Sequence, residues 1–389
     1  MAQQSTDHQA SLTRPGQSNA TGDARALYLK LFSGEMFKGF QNNAIARDLV
    51  MKRTLKNGKS LQFIYTGHTK AEYHTPGNSI LGNSDGAPPV AEKTITCDDL
   101  LISSAFVYEL DETLAHYELR GEISKKIGYA LAEKYDRLIF RAITQGARKA
   151  SPITKANFIE PGGTQVRVGA AGTPAQSEAF NADNLIAAFY DAAAALDEKG
   201  ISTDGRVGVL NPRQYYELIQ KVGDGGLVNR DVQGGSLQSG KGVVEIAGIK
   251  IYKSMNIPFF DKYGIKYVIS GGPADPGNTG SFISQQIESA KTTDTGINNS
   301  YGQGLQQSDG TATGGDGNFN HSCGLIFQKE AAGVVEAIGP SVQVTSGDVS
   351  VIYQGDVILG RLAMGADYLN PAACVELYAG NATGNSAWS

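Results

Sequence analysis

The stretch Thr54–Gly67, TLKNGKSLQFIYTG, contains Gly58-Lys59-Ser60, the closing letters of a phosphate-binding loop. Such a loop needs a second glycine five residues upstream of Gly58, so that successive N–H groups can wrap the phosphates. Arg53 stands there, and its side chain would fill the space a ligand needs. A helix should follow the loop, yet Leu61, Phe63 and Tyr65 alternate with Gln62, Ile64 and Thr66, the period of a strand. The turn therefore opens an extended arm. If the strand continues, Phe63, Tyr65 and Tyr73 share one face and His68, Lys70, Glu72 and His74 the other. TPGNSILGNSDGAPP (Thr75–Pro89) is turn chemistry. A long two-stranded arm with so little apolar content is unstable alone and makes physical sense lying on another subunit.

Working outward, residues 1 to 24 are too polar to offset the entropy of ordering. ARALYLKLFSGEMFKGF follows, in which Leu27, Tyr28, Leu31, Phe32, Met36, Phe37 and Phe40 form an apolar helical stripe. That stripe needs a partner surface, either its own core or a neighbour's. Downstream of the arm, Leu110, Leu114, Tyr117, Ile127, Leu131, Tyr135, Leu138 and Ala142 recur at three- and four-residue spacing as far as Gly146. The spacing predicts a spine helix over 111–146, roughly 50 Å long. Its other face, with Glu118, Arg120, Glu122, Lys125, Lys126, Glu133, Lys134 and Arg137, is expected to be solvated.

Asn181 should cap an Ala-rich helix ending at Lys199-Gly200, and Asn211-Pro212 should open another ending at Gly223. RVGVL reads as a short buried strand, and VVEIAGIKIYKS and KYVIS as further strands. Residues 271–320, rich in Gly, Ser, Thr and Asn, are too long for an ordinary connection and read as a mobile insertion. Strands return in GVVEAIG, SVQVTS, VSVIYQGDVILGRLAMGADYL and AACVELYA. Strand runs that bracket helical stretches fit an α+β class.

Bulk properties narrow the function. The chain has 389 residues, enough for more than one lobe, and a net charge of −5. An acidic balance argues against wrapping nucleic acid by neutralising phosphates. Cys97, Cys323 and Cys374 are far apart with no CxxC, which favours a reducing compartment. The first residues lack a charged-then-apolar signal, and no apolar run approaches a membrane span, so no membrane association is expected.

Chemistry is tested and mostly rejected. Glu72 with His74, or His68 on the same strand face, could approach a metal, but a third convergent ligand is not evident. Neither GxSxG nor a Cys–His signature accompanies the cysteines. GGDGN (Gly314–Asn318) is a single copy without the Asp spacing of calcium-binding repeats. Asp98-Asp99 and Asp111-Glu112 suit strand ends and helix N-termini better than acid/base work. The expectation is a protein that is not an enzyme and carries no cofactor or metal.

The order of parts is more specific than any motif: polar arm, extended loop, spine helix, mixed lobe, returning strands. With RVGVLNPRQYYELIQ and VVEIAGIKIYKSMNIP, this order resembles the major capsid proteins of tailed phages, the Hong Kong 97 fold. Among these it is most similar to those of short-tailed Autographiviridae phages, including cyanophages. Ala26-Leu27-Tyr28-Leu29-Lys30 resembles the family's LALFLK-type arm, and Gly58-Lys59-Ser60-Leu61-Gln62-Phe63 its GKSAQF turn. His116-Tyr117-Glu118-Leu119-Arg120 resembles its HYD/E-x-R helix start. Ala363-Met364-Gly365 and Leu369-Asn370-Pro371-Ala372-Ala373 resemble its AMG…LRPEAA. The likeness covers about residues 24 to 379; residues 271–320 look longer than in relatives, and the tail after Ala379 has no counterpart.

The resemblance implies an α+β Hong Kong 97-type capsid fold, divided as N-arm (1–48), E-loop (49–97), P-domain (98–180, with the spine helix), A-domain (181–332), P-domain strands (333–370) and a return to the A-domain with a C-terminal tail (371–389). It implies self-assembly into hexamers and pentamers that form an icosahedral head, inside the host cytoplasm. A separate scaffolding protein, a portal and non-specifically contacted double-stranded DNA are the implied partners. From the parts they occupy, Leu27, Leu31, Phe32, Phe37, Lys59, Phe63, Tyr65, Tyr73, Arg120 and Glu122 are the expected inter-subunit residues. Two rivals remain at this point: a nucleotide hydrolase using Lys59, and a tail fibre or host-binding adhesin suggested by residues 271–320.

Overall fold

The computed structural model describes residues 45–69, 73–78, 88–97, 100–109, 119–153, 160–169, 175–220, 245–257, 322–344 and 354–379. The apolar stripe at Leu27–Phe40, the helix start at His116-Tyr117-Glu118, the strand KYVIS, residues 271–320 and the tail after Ala379 lie outside the described residues.

Three sheets and three α-helices make up the described chain. Strands β1 (Met51–Thr54), β4 (Leu101–Tyr108), β10 (Ala332–Val344) and β11 (Gly355–Tyr368) form a sheet of order β1-β10-β11-β4. β1 runs parallel to β10; the other pairs are antiparallel. GVVEAIG and SVQVTS fuse into the one long β10, whose register with β11 shifts on either side of Ile338. β2 (Ser60–Thr66) and β3 (Val90–Thr96) form a separate hairpin. A six-stranded sheet of order β5-β12-β9-β6-β8-β7 unites β5 (Thr164–Val168), β6 (Arg206–Leu210), β7 (Glu245–Ile246), β8 (Ile249–Lys253), β9 (Ser322–Gln328) and β12 (Cys374–Ala379).

The spine helix α1 spans Leu119–Ala147, 29 residues, about 44 Å at 1.5 Å per residue. Ile127, Leu131, Tyr135 and Ala142 are buried as the periodicity predicts, and Leu138 is half-buried. Ile127 and Leu131 lie on Gly360 of β11, where an added Cβ would come within 2.3 Å of Ile127 Cγ2. The opposite face departs from expectation. Arg137 is buried and donates to Glu133, and Asp136 is also buried, whereas Lys125 stays exposed. The cause is a second layer: Tyr135, Ile139, Phe140, Ile143 and Ala147 share a core with Leu362 and Met364 of the first sheet and with Val209, Leu325 and Phe327 of the six-stranded sheet. A helix wedged between two sheets keeps only a half-exposed strip at that end, along Lys134, Leu138, Arg141 and Gln145.

The six-stranded sheet is covered on its other side by α2 (Ala182–Glu198) and α3 (Pro212–Gln220). Pleating explains the split: Val207 and Val209 point to α1, while Leu210 points to α2 and α3. RVGVL is accordingly buried on both faces. The Asn181 side chain accepts the Asp183 N–H at 3.0 Å, and Gly200 closes α2 with φ of +71°. At α3 the expected side-chain cap is not made: the Asn211 carbonyl accepts the Tyr215 N–H at 3.0 Å as the helix's first bond, while the buried Asn211 amide group has no hydrogen-bond partner among the described residues. Arg148, one residue past α1, forms a double ion pair with Glu376 of β12 at 2.7 and 2.6 Å, joined by Gln165 of β5 at 2.7 Å. The spine is thereby locked to the six-stranded sheet. Cys97, Cys323 and Cys374 are buried thiols, none of them in a disulfide.

Candidate assembly surfaces

Gly58, with φ of +96°, turns the chain into β2, so GKS opens a strand and no helix follows it. Lys59 is exposed, and its carbonyl accepts the Cys97 N–H at 2.8 Å, closing the hairpin base. Burial alternates strictly along both strands. Leu61, Phe63, Tyr65, Lys93 and Ile95 face inward. Leu61 and Phe63 pack with Leu55, Ile95, Val335 and Ala363 of their own chain, and the Arg53 guanidinium lies 5.2 Å from the Phe63 ring. Burial, then the Glu160 charge, raises the Tyr65 hydroxyl above its ordinary pKa.

The arm does not hang free of its own body, as its low apolar content suggests. Lys93 pairs with Asp367 at 2.9 Å and sits 3.8 Å from the Tyr368 ring centre. Where β2 ends, Glu160 accepts the His68 backbone N–H at 2.5 Å and lies 2.8 Å from His68 Nδ1. At Gly365 an added Cβ would come within 1.9 Å of the Thr96 carbonyl oxygen, so β3 crosses β11 with its backbone in close approach. A groove of about 680 Å³ remains under the hairpin, lined by Arg53, Tyr65, His68, Lys199, Ile201 and Leu369 among others. Burial pushes the Lys199 amine down to about 8.

The outward face carries what the sequence reading missed. Ile64 is 74 % exposed and Val90 61 %. Register pairs Ile64 with Glu92 and Thr66 with Val90, which makes Ile64 and Val90 diagonal neighbours on one surface. The alternation contained this signal, since Ile64 breaks an otherwise polar series. Ile338, Val342 and Val344 of β10 are a second exposed apolar group.

The remaining expected residues are scattered. Tyr73 lies beyond the end of β2 and is fully exposed, so it shares no strand face with Phe63 and Tyr65. Arg120 lies in the first turn of α1, and Glu122 pairs with Lys125 at 3.3 Å on the surface of the same helix. Leu27, Leu31, Phe32 and Phe37 lie outside the described residues. Lys70 and Glu72 do too, and His68 is engaged by Glu160. Among the described residues no group of three or more His, Cys, Asp or Glu side chains could hold a metal ion. Among the same residues no helix is long and apolar enough to cross a membrane.

Comparison with known proteins gives this architecture its family. Residues 62–281, more than half of the chain, match the family model Gp10A-like, described as major capsid protein. The chain is 29 % identical over 204 residues to the major capsid protein of Escherichia phage T7, an alignment covering 51 % of this chain and 58 % of that protein. It is 32 % identical over 126 residues to the major capsid protein of Enterobacteria phage T3, covering 32 % of this chain and 35 % of that one. The chain thus spans about half the length, or less, of the curated relatives it matches. Among solved structures, the capsid of the cyanophage P-SCSP1u matches with a TM-score of 0.66 and 28 % identity, covering 96 % of this chain and 99 % of that one. The mature capsid of bacteriophage PhiM1 matches with a TM-score of 0.58 at 15 % identity over 96 % and 98 %, a likeness of fold alone. With its fold that of the Hong Kong 97-type phage capsid subunit, the chain belongs to the Gp10A-like family of major capsid proteins.

Proposed function

We propose that this chain builds the head of a short-tailed phage, assembling through hexamers and pentamers into a closed icosahedral shell around double-stranded DNA. The observation that carries it is the family match over residues 62–281, together with a capsid fold shared over nearly the whole chain. In this reading β2–β3 is the E-loop and α1 with the β1-β10-β11-β4 sheet is the P-domain. The six-stranded sheet with α2 and α3 is the A-domain; β5 goes with it, because Thr164–Val168 pair with β12. Residues 1–48 are the N-arm. The division of labour at the hairpin supports this: its inner face is satisfied by its own chain, while Ile64 and Val90 have nothing described over them. Ring contacts that close yield hexamers and pentamers. A scaffolding protein, a portal and loosely contacted DNA are the partners that go with such a shell, and assembly takes place in the host cytoplasm. The matches are to capsid proteins, so the tail-fibre reading finds no support in them.

Co-expression with the candidate scaffolding protein, followed by light scattering and negative-stain microscopy, tests the proposal. Uniform closed shells, or isolated hexamers and pentamers, are expected. A stable monomer or trimer under every condition would contradict it.

A further inference from the structure

Upstream of β1 the chain is fastened at two adjacent residues of the spine helix. The Ile45 and Ala46 backbone N–H groups donate to the two carboxylate oxygens of Asp136, at 2.8 and 3.1 Å. Asn256 adds a longer contact to the same carboxylate at 3.4 Å, and Asp136 is fully buried. One residue earlier on the helix, the Tyr135 hydroxyl donates to Glu336 of β10 at 2.8 Å. The same Glu336 carboxylate receives Arg47 through Nε and Nη2, both at 3.2 Å, and Lys52 Nζ at 2.7 Å. The Glu336 side chain is 5 % exposed. Ala46 and Val50 fill the core between these two anchor points. A segment held at one point can pivot; one held at two points separated by a few residues cannot, and its direction is set.

We infer that Asp136 and Glu336 form a clasp on residues 45–52 that fixes the direction in which the N-terminal arm leaves the body, and so which neighbouring copy the arm can reach. The inference rests on the assembly reading above. Everything N-terminal of Ile45, including the apolar stripe from Leu27 to Phe40, departs from this root. The clasp joins α1, β10 and the segment around Asn256, so a displacement of α1 at Tyr135 and Asp136 against β10 acts on residues 45–52. Such devices couple a shift inside one subunit to contacts made outside it.

Hydrogen–deuterium exchange on the full-length, unassembled protein tests the clasp, with Glu336→Gln and Asp136→Ala as variants. Amides of residues 45–50 should exchange roughly tenfold faster in both variants, while those of α2 (Ala182–Glu198) remain as in wild type. Glu336→Gln keeps the shape of the side chain and guards against a variant that simply unfolds. Co-expressed with the scaffold, the loosened variants should give polydisperse or open particles where wild type closes. Exchange at residues 45–50 within twofold of wild type in both variants would overturn the clasp. Loosened variants that still close uniform shells at wild-type yield would overturn its role in directing the arm. Wild-type shell formation in the same preparation separates the two readings: its failure overturns assembly, and arm direction with it, while the exchange data alone decide the clasp.

Discussion

Arg148, Glu376 and Gln165 are three polar side chains from α1's end, β12 and β5, meeting where two layers of the molecule join. A bidentate guanidinium–carboxylate pair with a third hydrogen bond offsets part of its desolvation, and removing one partner strands the other charge. Glu376→Ala should therefore cost about 3–5 kcal/mol, read as a fall in the urea midpoint, with Glu376→Gln losing less. Asp136 and Glu336 oppose each other in their response to pH. Burial raises Asp136 from 3.8 to about 6, against the pull of the Ile45, Ala46 and Asn256 hydrogen bonds. A raised acid binds its proton more readily in the folded state, so its contribution is present in acid and is lost as pH climbs through about 6. Burial alone would raise Glu336 too, yet hydrogen bonds from Lys52, Tyr135 and Arg47 hold it below its ordinary value. Its contribution is present at neutral pH and is lost as pH falls below the ordinary carboxylate range. Asp136→Asn, which cannot ionise, should thus gain stability relative to wild type as pH rises from about 3.8 to about 6, with little further change above. The gain approaches about 3 kcal/mol, from about two pKa units at 1.36 kcal/mol each. Equal slopes for variant and wild type across that range would contradict the assignment.

At the scale of elements, hairpin and spine were legible to different degrees. Period-two alternation after Gly58 identified β2, and three-and-four spacing identified α1, because both signals are local. What alternation could not say is which face of β2 meets its own body. That is decided by Leu55, Val335 and Ala363, far away in sequence, so Phe63 and Tyr65 turn inward and Ile64 and Val90 outward. The burial of Arg137 and Asp136 was illegible for the same reason: a helix pattern shows one covered face and cannot announce a second sheet. Two substitutions test the hairpin. Gly365→Val places a side chain against the Thr96 backbone and should destabilise the base of the hairpin by about 1–3 kcal/mol, measured by denaturant unfolding. Ile64→Asp, on the exposed face, should leave subunit stability within about 0.5 kcal/mol while reducing the yield of shells severalfold. Loss of subunit stability instead would show that Ile64 serves its own fold.

For the whole molecule, the succession of hairpin, spine helix, mixed lobe and returning strands was readable because each segment carries its own local pattern. Its closure was not. β12, the last described element, pairs with β5 and β9, and β1 lies beside β10, pairings that link distant parts of the sequence. The anchoring of residues 45–52 by Asp136 and Glu336 likewise depends on contacts 90 and 289 residues apart. Together these make one body with a hairpin laid across it, whose outer face presents Ile64 and Val90 still to be covered. Electron cryomicroscopy of the particles formed on co-expression with the scaffold tests that claim most directly. The account predicts a closed shell of hexamers with pentamers at the vertices, in which an adjacent subunit covers Ile64 and Val90. Particles without such rings, or shells in which the outer face of β2–β3 stays open to solvent, would contradict it.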